Sequence, residues 1–426
     1  MAQDLDVITI GRSSVDLYGQ QIGGRLEDMG TFAKSVGGCP ANIAIGAARL
    51  GLKSAVLTRV GDEHMGRYIR EQMAREGVAT DGIITDPKRL TALVILGVRD
   101  SDSFPLIFYR TDCADMALDE SEVDPAFIRR ARAIVVTGTH FSTESTAAAQ
   151  RKAMRIARET GAKIVFDVDY RPNLWGLAGH GAGESRYIAS DRVSQHLQPI
   201  LSECDLIVGT EEEVKIAGGA EDVLTALRNI RVRSGATIVL KRGAKGCTVF
   251  PDAIPTNMDA GIVGSGFPIE VYNVLGAGDA FMSGFLRGWL TGEPLETCAT
   301  WANACGAFAV SRLLCSPEIP TWTELQYFLK YGSKHRALRN DADLNHIHWS
   351  TTRRDHWPTL MAFAIDHRAQ LEELADKAGA PRARIGEFKV LAVAAATKVA
   401  DGQPGFGMLL DGTYGREALF RAADHE

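Results

Sequence analysis

Residues 273–281 combine a glycine turn with a carboxylate, because Gly276, Ala277 and Gly278 are followed at once by Asp279. A glycine turn that opens a helix presents backbone N–H groups without intrahelical partners, and the helix dipole strengthens their attraction for an anion. A carboxylate beside a bound phosphate would repel it, unless the carboxylate accepts a proton from an attacking hydroxyl. The run therefore indicates phosphoryl transfer with Asp279 as general base. The alternative is that Asp279 only caps the helix.

A second glycine pair, Gly37 and Gly38, stands just before a predicted Ala-rich helix over residues 41–50. Two adjacent glycines let the backbone approach a ligand more closely than side chains would allow. Asn42 is polar at the start of this otherwise apolar helix, so we expect its amide to face the same ligand.

A third candidate segment follows the predicted strand over residues 237–241. Lys241 ends that strand, and Gly243 and Gly246 provide another glycine turn beyond it. A cation beside open backbone N–H groups suits the phosphates of a nucleotide. We therefore predict that these three residues bind the nucleotide.

The elements that must position these residues alternate between β-rich runs and helical patterns. Such alternation is typical of a parallel sheet covered by helices on both faces, with ligands at the carboxyl ends of the strands. The strand-like runs 91–98 and 104–110 break the rhythm and predict a hairpin, which is either a lid or an ordinary surface hairpin. Predicted strands cover residues 7–11, 54–60, 133–137, 163–167, 206–208 and 237–241, and predicted helices cover 41–50, 66–77 and 146–160.

Residues 37–42 and 276–279 carry, in order, the GG-x-x-x-N and G-A-G-D signatures of the PfkB, or ribokinase-like, sugar kinases. The resemblance covers roughly residues 4–330. It implies an α/β fold with a ribokinase-like doubly wound sheet and a β lid at about residues 91–110. It also implies ATP as the phosphoryl donor together with Mg²⁺, and it leaves a requirement for a monovalent cation open.

The resemblance also implies roles for residues around the sugar. Asp279 is the base, residues 276–278 form the anion hole, and Asp16, Gly38 and Asn42 hold sugar hydroxyls. The last residue of the predicted lid hairpin, Arg110, is included among the substrate-binding residues, as is Gly37 beside Gly38.

Two further roles concern the nucleotide and its metal ion. Asn303 would lie near the adenine; the alternative is a polar group satisfied inside a helix. The family's N-x-x-E motif near Mg²⁺ appears with Thr210 in place of asparagine and with the glutamate kept as Glu213. We therefore predict that Glu213 acts on the metal ion through water. Alternatively, Glu211 and Glu212 form an ordinary solvated helix start.

Residues 167–175 bear on the substrate, because they resemble the D-x-N-x-R-x-x-L-W segment of 2-keto-3-deoxygluconate kinases. Asp169 stands where that segment has asparagine. Arg171 is a candidate clamp for a carboxylate, since its fork of N–H groups matches two oxygens. The alternative is a structural salt bridge from Arg171 to Asp167 or Asp169.

The composition changes at about residue 334, which indicates that a sugar kinase domain over residues 1–333 ends there. Residues 334–355 are polar without a clear period and predict a linker. Residues 356–426 resemble the start of the aldolase-like barrel that follows the 5-dehydro-2-deoxygluconokinases of myo-inositol breakdown. Predicted strands at 359–365 and 405–410 with helices at 369–378 and 385–400 make only a partial (β/α)-barrel, because a full barrel needs about 250 residues.

The leading functional hypothesis is phosphorylation of the terminal hydroxyl of 5-dehydro-2-deoxygluconate. A 2-keto-3-deoxygluconate kinase or a fructokinase is the nearest alternative. A non-catalytic sugar or nucleotide sensor is an alternative of another class, and the retained Asp279 counts against it because a pure binder needs no base.

Composition and charge restrict the partners and the cellular compartment expected for the protein. A net charge of −6 gives no electrostatic footprint for nucleic acid or an anionic membrane, so neither is expected as a partner. The seven scattered cysteines predict reduced thiols in a cytoplasmic protein. The partners expected are therefore a small sugar acid and ATP, with a homodimer formed through the lid as a further prediction.

Overall fold

The computed structural model describes residues 3–100, 103–352 and 359–423, without the side chain of His180. The chain forms two compact units, Met1–Arg353 and Arg354–Glu426. Within the described residues, no helix combines the length and the apolar character needed to cross a bilayer.

The first unit is built on a nine-stranded sheet in the order β13-β12-β11-β10-β9-β8-β1-β4-β5. The strands from β11 to β5 are all parallel, whereas β12 and β13 are added antiparallel at one edge. Strands described in this unit are β1 (Leu5–Ile10), β2 (Ser14–Gly19), β3 (Phe32–Gly37), β4 (Ser54–Gly61), β5 (Ile83–Asp86), β6 (Ala92–Leu96), β7 (Leu106–Tyr109), β8 (Ala131–Thr137), β9 (Lys163–Asp167), β10 (Leu206–Thr210), β11 (Thr237–Lys241), β12 (Cys247–Phe250) and β13 (Ile262–Gly264).

Helices cover both faces of this sheet because its buried strands are apolar on both sides. Val165 and Val208 pack on one face in a cluster with residues of α1, α8 and α9, and their neighbours Phe166 and Ile207 pack on the other with α4 to α7. The predicted doubly wound fold is thus confirmed. Helices described in this unit are α1 (Cys39–Arg49), α2 (His64–Arg75), α3 (Pro125–Ile128), α4 (Glu144–Thr160), α5 (Asp191–Leu201), α6 (Glu211–Gly218), α7 (Val223–Arg233), α8 (Ala277–Thr291), α9 (Leu295–Val310), α10 (Trp322–Tyr331) and α11 (Ala342–Thr352).

A second sheet of this unit, in the order β3-β2-β6-β7, forms the lid. Its strands β6 and β7 pair antiparallel, which confirms the hairpin predicted within residues 91–110. Strands β2 and β3 were not predicted; they pair antiparallel with each other, and β2 also pairs parallel with β6. The lid is therefore larger than predicted, and β2 brings Asp16 into it.

Half of the segment 334–355, predicted to be a linker, is helical, because α11 lies there. Leu344 is the buried residue of this helix, so its apolar period is weak. Polar contacts hold it instead: His348 Nδ1 lies 2.6 Å from Glu324 Oε2 of α10, and Arg312 donates to the other Glu324 oxygen at 2.6 Å. A helix held by a buried ionic group leaves no hydrophobic signature in the sequence.

The second unit contains the two βα units predicted for it. Strands β14 (Met361–Ala364) and β15 (Phe406–Leu409) pair in parallel and are accompanied by α12 (Ala369–Lys377), α13 (Ala383–Ala400) and α14 (Arg416–Ala423). Lys389 of α13 is fully buried; its ammonium donates to the carbonyl of His367 at 2.8 Å and pairs with Asp411. This ion pair ties together the segments that follow the two strands.

The position of α11 predicts where the first unit can be cut. A chain ending at residue 353 should keep the stability of that unit, whereas a chain ending at residue 333 should lose it in part. The shorter chain removes Leu338 and Leu344, both fully buried, and each buried leucine contributes about 1.5–3 kcal/mol. Urea unfolding of the two truncated proteins measures the difference, and equal midpoints would show that α11 is not part of the unit.

Candidate active site

The predicted site residues other than Gly37 line two adjoining cavities in the first unit, at the carboxyl ends of the sheet strands. The larger cavity, about 460 Å³, reaches Lys241, Gly243, Gly246 and Asn303. The smaller cavity, about 70 Å³, lies under the lid. Six residues line both and are called the junction here: Cys39, Arg171, Arg186, Leu275, Gly276 and Asp279.

Asp279 occupies the first turn of α8, at the junction. Its Oδ2 accepts a hydrogen bond of 2.7 Å from Nδ2 of Asn42 on α1. Burial raises the pKa of Asp279, while the Asn42 hydrogen bond acts in the opposite direction. A carboxylate with a raised pKa is a better proton acceptor than an ordinary aspartate, as a general base requires.

The turn before Asp279 forms an anion cradle. Gly276 has φ +79°, and a Cβ there would overlap the sulfur of Cys315. Both the backbone conformation and the close contact therefore require glycine. Ala277 and Gly278 make the first turn of α8, and among the described residues no side chain caps this helix. Its first-turn N–H groups are therefore available to a phosphate.

The glycine pair has a separate structural reason at each position. A Cβ on Gly37 would overlap the carboxylate of Asp16, and Gly38 has φ +94° and lies against the backbone of Arg12, with a Cβ 2.6 Å from its carbonyl oxygen. Asp16 accepts a 2.8 Å hydrogen bond from Ser14, and burial raises its pKa to about 6. The two glycines thus leave room for the Asp16 carboxylate in the smaller cavity.

Two buried arginines line the smaller cavity and not the larger one. Arg110 pairs with Asp115, but its Nε and Nη1 are buried and have no hydrogen-bond partner among the described residues. Arg12 pairs with Asp169, and its Nε is likewise without a partner there. Arg110 was predicted from the sequence, whereas Arg12 was not, because it follows β1 without a motif of its own.

Arg171 lies at the junction rather than in the smaller cavity alone. Its Nη1 donates to the carbonyl of Tyr170 at 3.0 Å. The nearest oxygens of Asp169 and Glu213 are each 3.8 Å away, beyond hydrogen-bond distance. Its guanidinium therefore keeps donors available to a ligand.

Lys241 stands in the larger cavity between two carboxylates. Its ammonium is 3.5 Å from Asp167 Oδ1 and 3.4 Å from Glu213 Oε2. Burial raises the pKa of Asp167 to about 7. Burial acts the same way on Glu213, but Lys241 and Arg171 outweigh it and the pKa of Glu213 is lowered.

The fit of Mg²⁺ to this region is indirect. Glu213 accepts the backbone N–H of Thr210 at 2.8 Å, and Thr210 Oγ1 accepts the backbone N–H of Glu213 at 3.2 Å, so the two residues form a capping box. Within the described part of the chain no group of three or more acidic, His or Cys side chains is placed to hold a metal ion. The available carboxylates suit a hydrated ion that is also bound by phosphates.

The remainder of the larger cavity combines glycine turns with an apolar wall. Gly243 and Gly246 have φ of +57° and +88°, and a Cβ on Gly246 would overlap the carbonyl of Gly264. Asn303 donates to that same carbonyl at 2.9 Å, so its amide is satisfied in the way its alternative interpretation proposed. The apolar wall was not predicted from the sequence; it consists of Phe267, Ile269, Val271, Val274, Phe281 and Val310.

A half-buried carboxylate between a helix N-terminus with free N–H groups and a polar cavity is the arrangement that phosphoryl transfer to a hydroxyl requires. The model of the pfkB family of carbohydrate kinases matches residues 4–322, and the chain belongs to this family. A second family model, described as an uncharacterized protein conserved in bacteria (DUF2090), matches residues 324–426. That second match begins within α10, so α10 and α11 belong to it by sequence and to the first unit by packing.

Known proteins similar to the chain agree with this family. A 5-dehydro-2-deoxygluconokinase of Geobacillus kaustophilus is 30% identical over 340 residues, 79% of this chain and 96% of the relative. The PfkB protein of Polaromonas sp. JS666 is 29% identical in structure-based comparison, with TM-score 0.63, covering 76% of this chain and 99% of that one. A fructokinase of Vibrio cholerae, solved with fructose, ADP and calcium ion, shares the fold at 24% identity and TM-score 0.62, covering 76% and 99%.

The contact between Gly37 and Asp16 predicts a selective defect. Gly37→Ala should displace the Asp16 carboxylate, so KM for the sugar should rise at least about tenfold, the loss expected for one or more hydrogen bonds to a charged group. KM for the nucleotide should change little, because Gly37 does not line the larger cavity. Steady-state kinetics measure both values. Gly235→Ala, at a glycine with open space around it, is the matched control; equal changes in both KM values would contradict the assignment.

Proposed function

We propose that this carbohydrate kinase transfers the γ-phosphoryl group of ATP to the terminal hydroxyl of a sugar acid, with 5-dehydro-2-deoxygluconate as the preferred substrate. The observation that carries the proposal is the place of Asp279 at the junction, where a hydroxyl from the smaller cavity and a phosphate from the larger one would meet.

The chemistry is divided among the residues of the junction. Asp279 accepts the hydroxyl proton as the oxygen attacks phosphorus, and the first-turn N–H groups of α8 stabilise the charge on the phosphoryl group. Asn42, whose Oδ1 is buried without a partner among the described residues, has an acceptor left for a sugar hydroxyl. Asp16 offers a second acceptor beneath the lid.

The larger cavity would receive ATP. Its apolar wall suits the adenine, while Lys241 and the turn at Gly243 and Gly246 suit the phosphates. Mg²⁺ supplies charge neutralisation on those phosphates, and Asp167 and Glu213 are the carboxylates that would hold its water molecules.

The charges of the smaller cavity support an acidic substrate. Among the described residues Arg110 is paired with Asp115 through one nitrogen only, and its buried Nε and Nη1 are donors that a substrate carboxylate would satisfy. In a linear sugar acid the carboxylate is at the end opposite the terminal hydroxyl. Arg110 lines the smaller cavity only, so we propose it as the carboxylate partner, with Arg171 at the reacting end.

We propose that the enzyme acts in the reducing cytoplasm, where its seven free, buried cysteines would stay as thiols. A homodimer through the lid is proposed as well. The edge strands of the lid expose Phe32 and Tyr109, which gives that sheet apolar surface for a second copy.

Phosphorylation of three substrates tests the proposal: 5-dehydro-2-deoxygluconate, 2-keto-3-deoxygluconate and neutral fructose. The wild-type enzyme should prefer the first. Arg110→Lys keeps the charge but not the fork, so kcat/KM for the acids should fall by about 1.5–3 kcal/mol, the range for a charged hydrogen bond. Fructose should be far less affected.

Two comparisons make the result decisive. Arg89→Lys, outside both cavities, is the matched control. An acid-selective loss in Arg171→Lys that is absent in Arg110→Lys would assign the carboxylate to Arg171 instead. Equal losses on acids and fructose in Arg110→Lys, or a wild-type preference for fructose, would contradict the sugar-acid proposal.

A further inference from the structure

Arg186 is a junction residue that no sequence motif singled out. It lies between β9 and α5, in a loop over residues 176–190, and its side chain lines both cavities together with Asp279. A cation at the point where the two ligands meet can act on the group that passes between them.

The guanidinium of Arg186 is not neutralised within the described residues, where no carboxylate lies within ion-pair distance of it and no hydrogen bond is formed by it. Its neighbour Arg171 and then its burial lower the pKa of Arg186 to about 10, against weaker attraction from Glu213, Asp169 and Glu184. Arg171 has oxygens of Asp169 and Glu213 at 3.8 Å, whereas Arg186 has no such partner in the described part of the chain, so a further anion beside Arg186 would offset the repulsion between the two guanidinium groups.

The loop around Arg186 is fixed on several sides. The carbonyl of Ile188 accepts a 2.6 Å hydrogen bond from Tyr170, and the hydroxyl of Tyr187 donates to Glu221 at 2.8 Å. Gly183 packs so closely on the carbonyl of Leu106 in lid strand β7 that a Cβ would overlap it. Arg186 is therefore presented to the junction by anchored backbone, which lowers the cost of ordering it around a ligand.

The anion that fits this place is the phosphoryl group rather than the sugar carboxylate. The cations of the smaller cavity alone are Arg12 and Arg110, whereas Arg186 and Arg171 share the junction with the base and the anion cradle. We propose that Arg186 binds the γ-phosphoryl group of ATP and stabilises its charge during transfer.

This role rests on ATP being the donor, as proposed above. The hydroxyl oxygen forms a bond to the γ-phosphorus while its proton goes to Asp279. The bond from that phosphorus to the bridging oxygen breaks, and its electron pair leaves with ADP. Arg186 forms no covalent bond; it donates N–H groups to the phosphoryl oxygens throughout.

The test uses the full chain and calorimetric binding of ADP and of the non-hydrolysable analogue AMP-PNP, without sugar. Arg186→Gln should weaken AMP-PNP about 10- to 100-fold, the range for charged hydrogen bonds, and leave ADP nearly unchanged. Its kcat should fall at least about 10²-fold, as for loss of one donor to a transition-state charge. Arg186→Lys should recover part of both, since the charge returns without the fork.

Control measurements distinguish a contact with the γ-phosphoryl group from a structural role and from a contact with the sugar. Arg192→Gln removes a nearby arginine outside both cavities and should change neither affinity. Equal weakening of ADP and AMP-PNP in Arg186→Gln, or no weakening of either, would overturn the proposal. So would a loss seen only in binding of the sugar acid, which would assign Arg186 to the carboxylate. Wild-type protein that binds neither nucleotide would overturn the proposed function together with this inference.

Discussion

The hydrogen bond from Asn42 to Asp279 joins the two halves of the active site, and the remaining geometry depends on it. It links α1 to α8, which approach closely because Gly46 packs on Ser283 of α8; a Cβ on Gly46 would overlap that hydroxyl. The same close packing shields Asp279 from part of the solvent. A carboxylate that is half-buried and held by one amide is oriented toward the junction and remains able to accept a proton.

Burial also raises the pKa of carboxyl groups other than Asp279. The pKa values of Asp16 and Asp167 are also raised by burial, to about 6 and about 7. Cations lie beside these carboxyl groups along both cavities. Arg12 and Arg110 are beneath the lid, Arg171 and Arg186 are at the junction, and Lys241 is in the larger cavity. This arrangement lets a chain with net charge −6 bind two anionic ligands, because local groups and not the total charge determine the potential in a cleft.

The sequence predicted those features whose physical cause is local. Gly276 and Gly38 need positive φ, and Asn42 is a polar residue in an apolar helix, so each is visible within a few residues. Arg12 and Arg186 could not be found in this way, because their importance comes from neighbours far along the chain. The same holds for α11, which is held by a polar contact between His348 and Glu324.

The most direct test of this account is the pH dependence of kcat at saturating substrates, in the wild-type enzyme and in Asn42→Ala. Because Asp279 must be ionised to act as base, kcat should fall as the pH drops through its raised pKa. Loss of the Asn42 hydrogen bond, which lowers that pKa, should move the acidic limb to higher pH. Ser14→Ala, which removes the matching hydrogen bond from Asp16, should leave the pH of the acidic limb of the kcat profile unchanged. An acidic limb that is unchanged in Asn42→Ala, or retained in an active Asp279→Asn enzyme, would contradict Asp279 as the base.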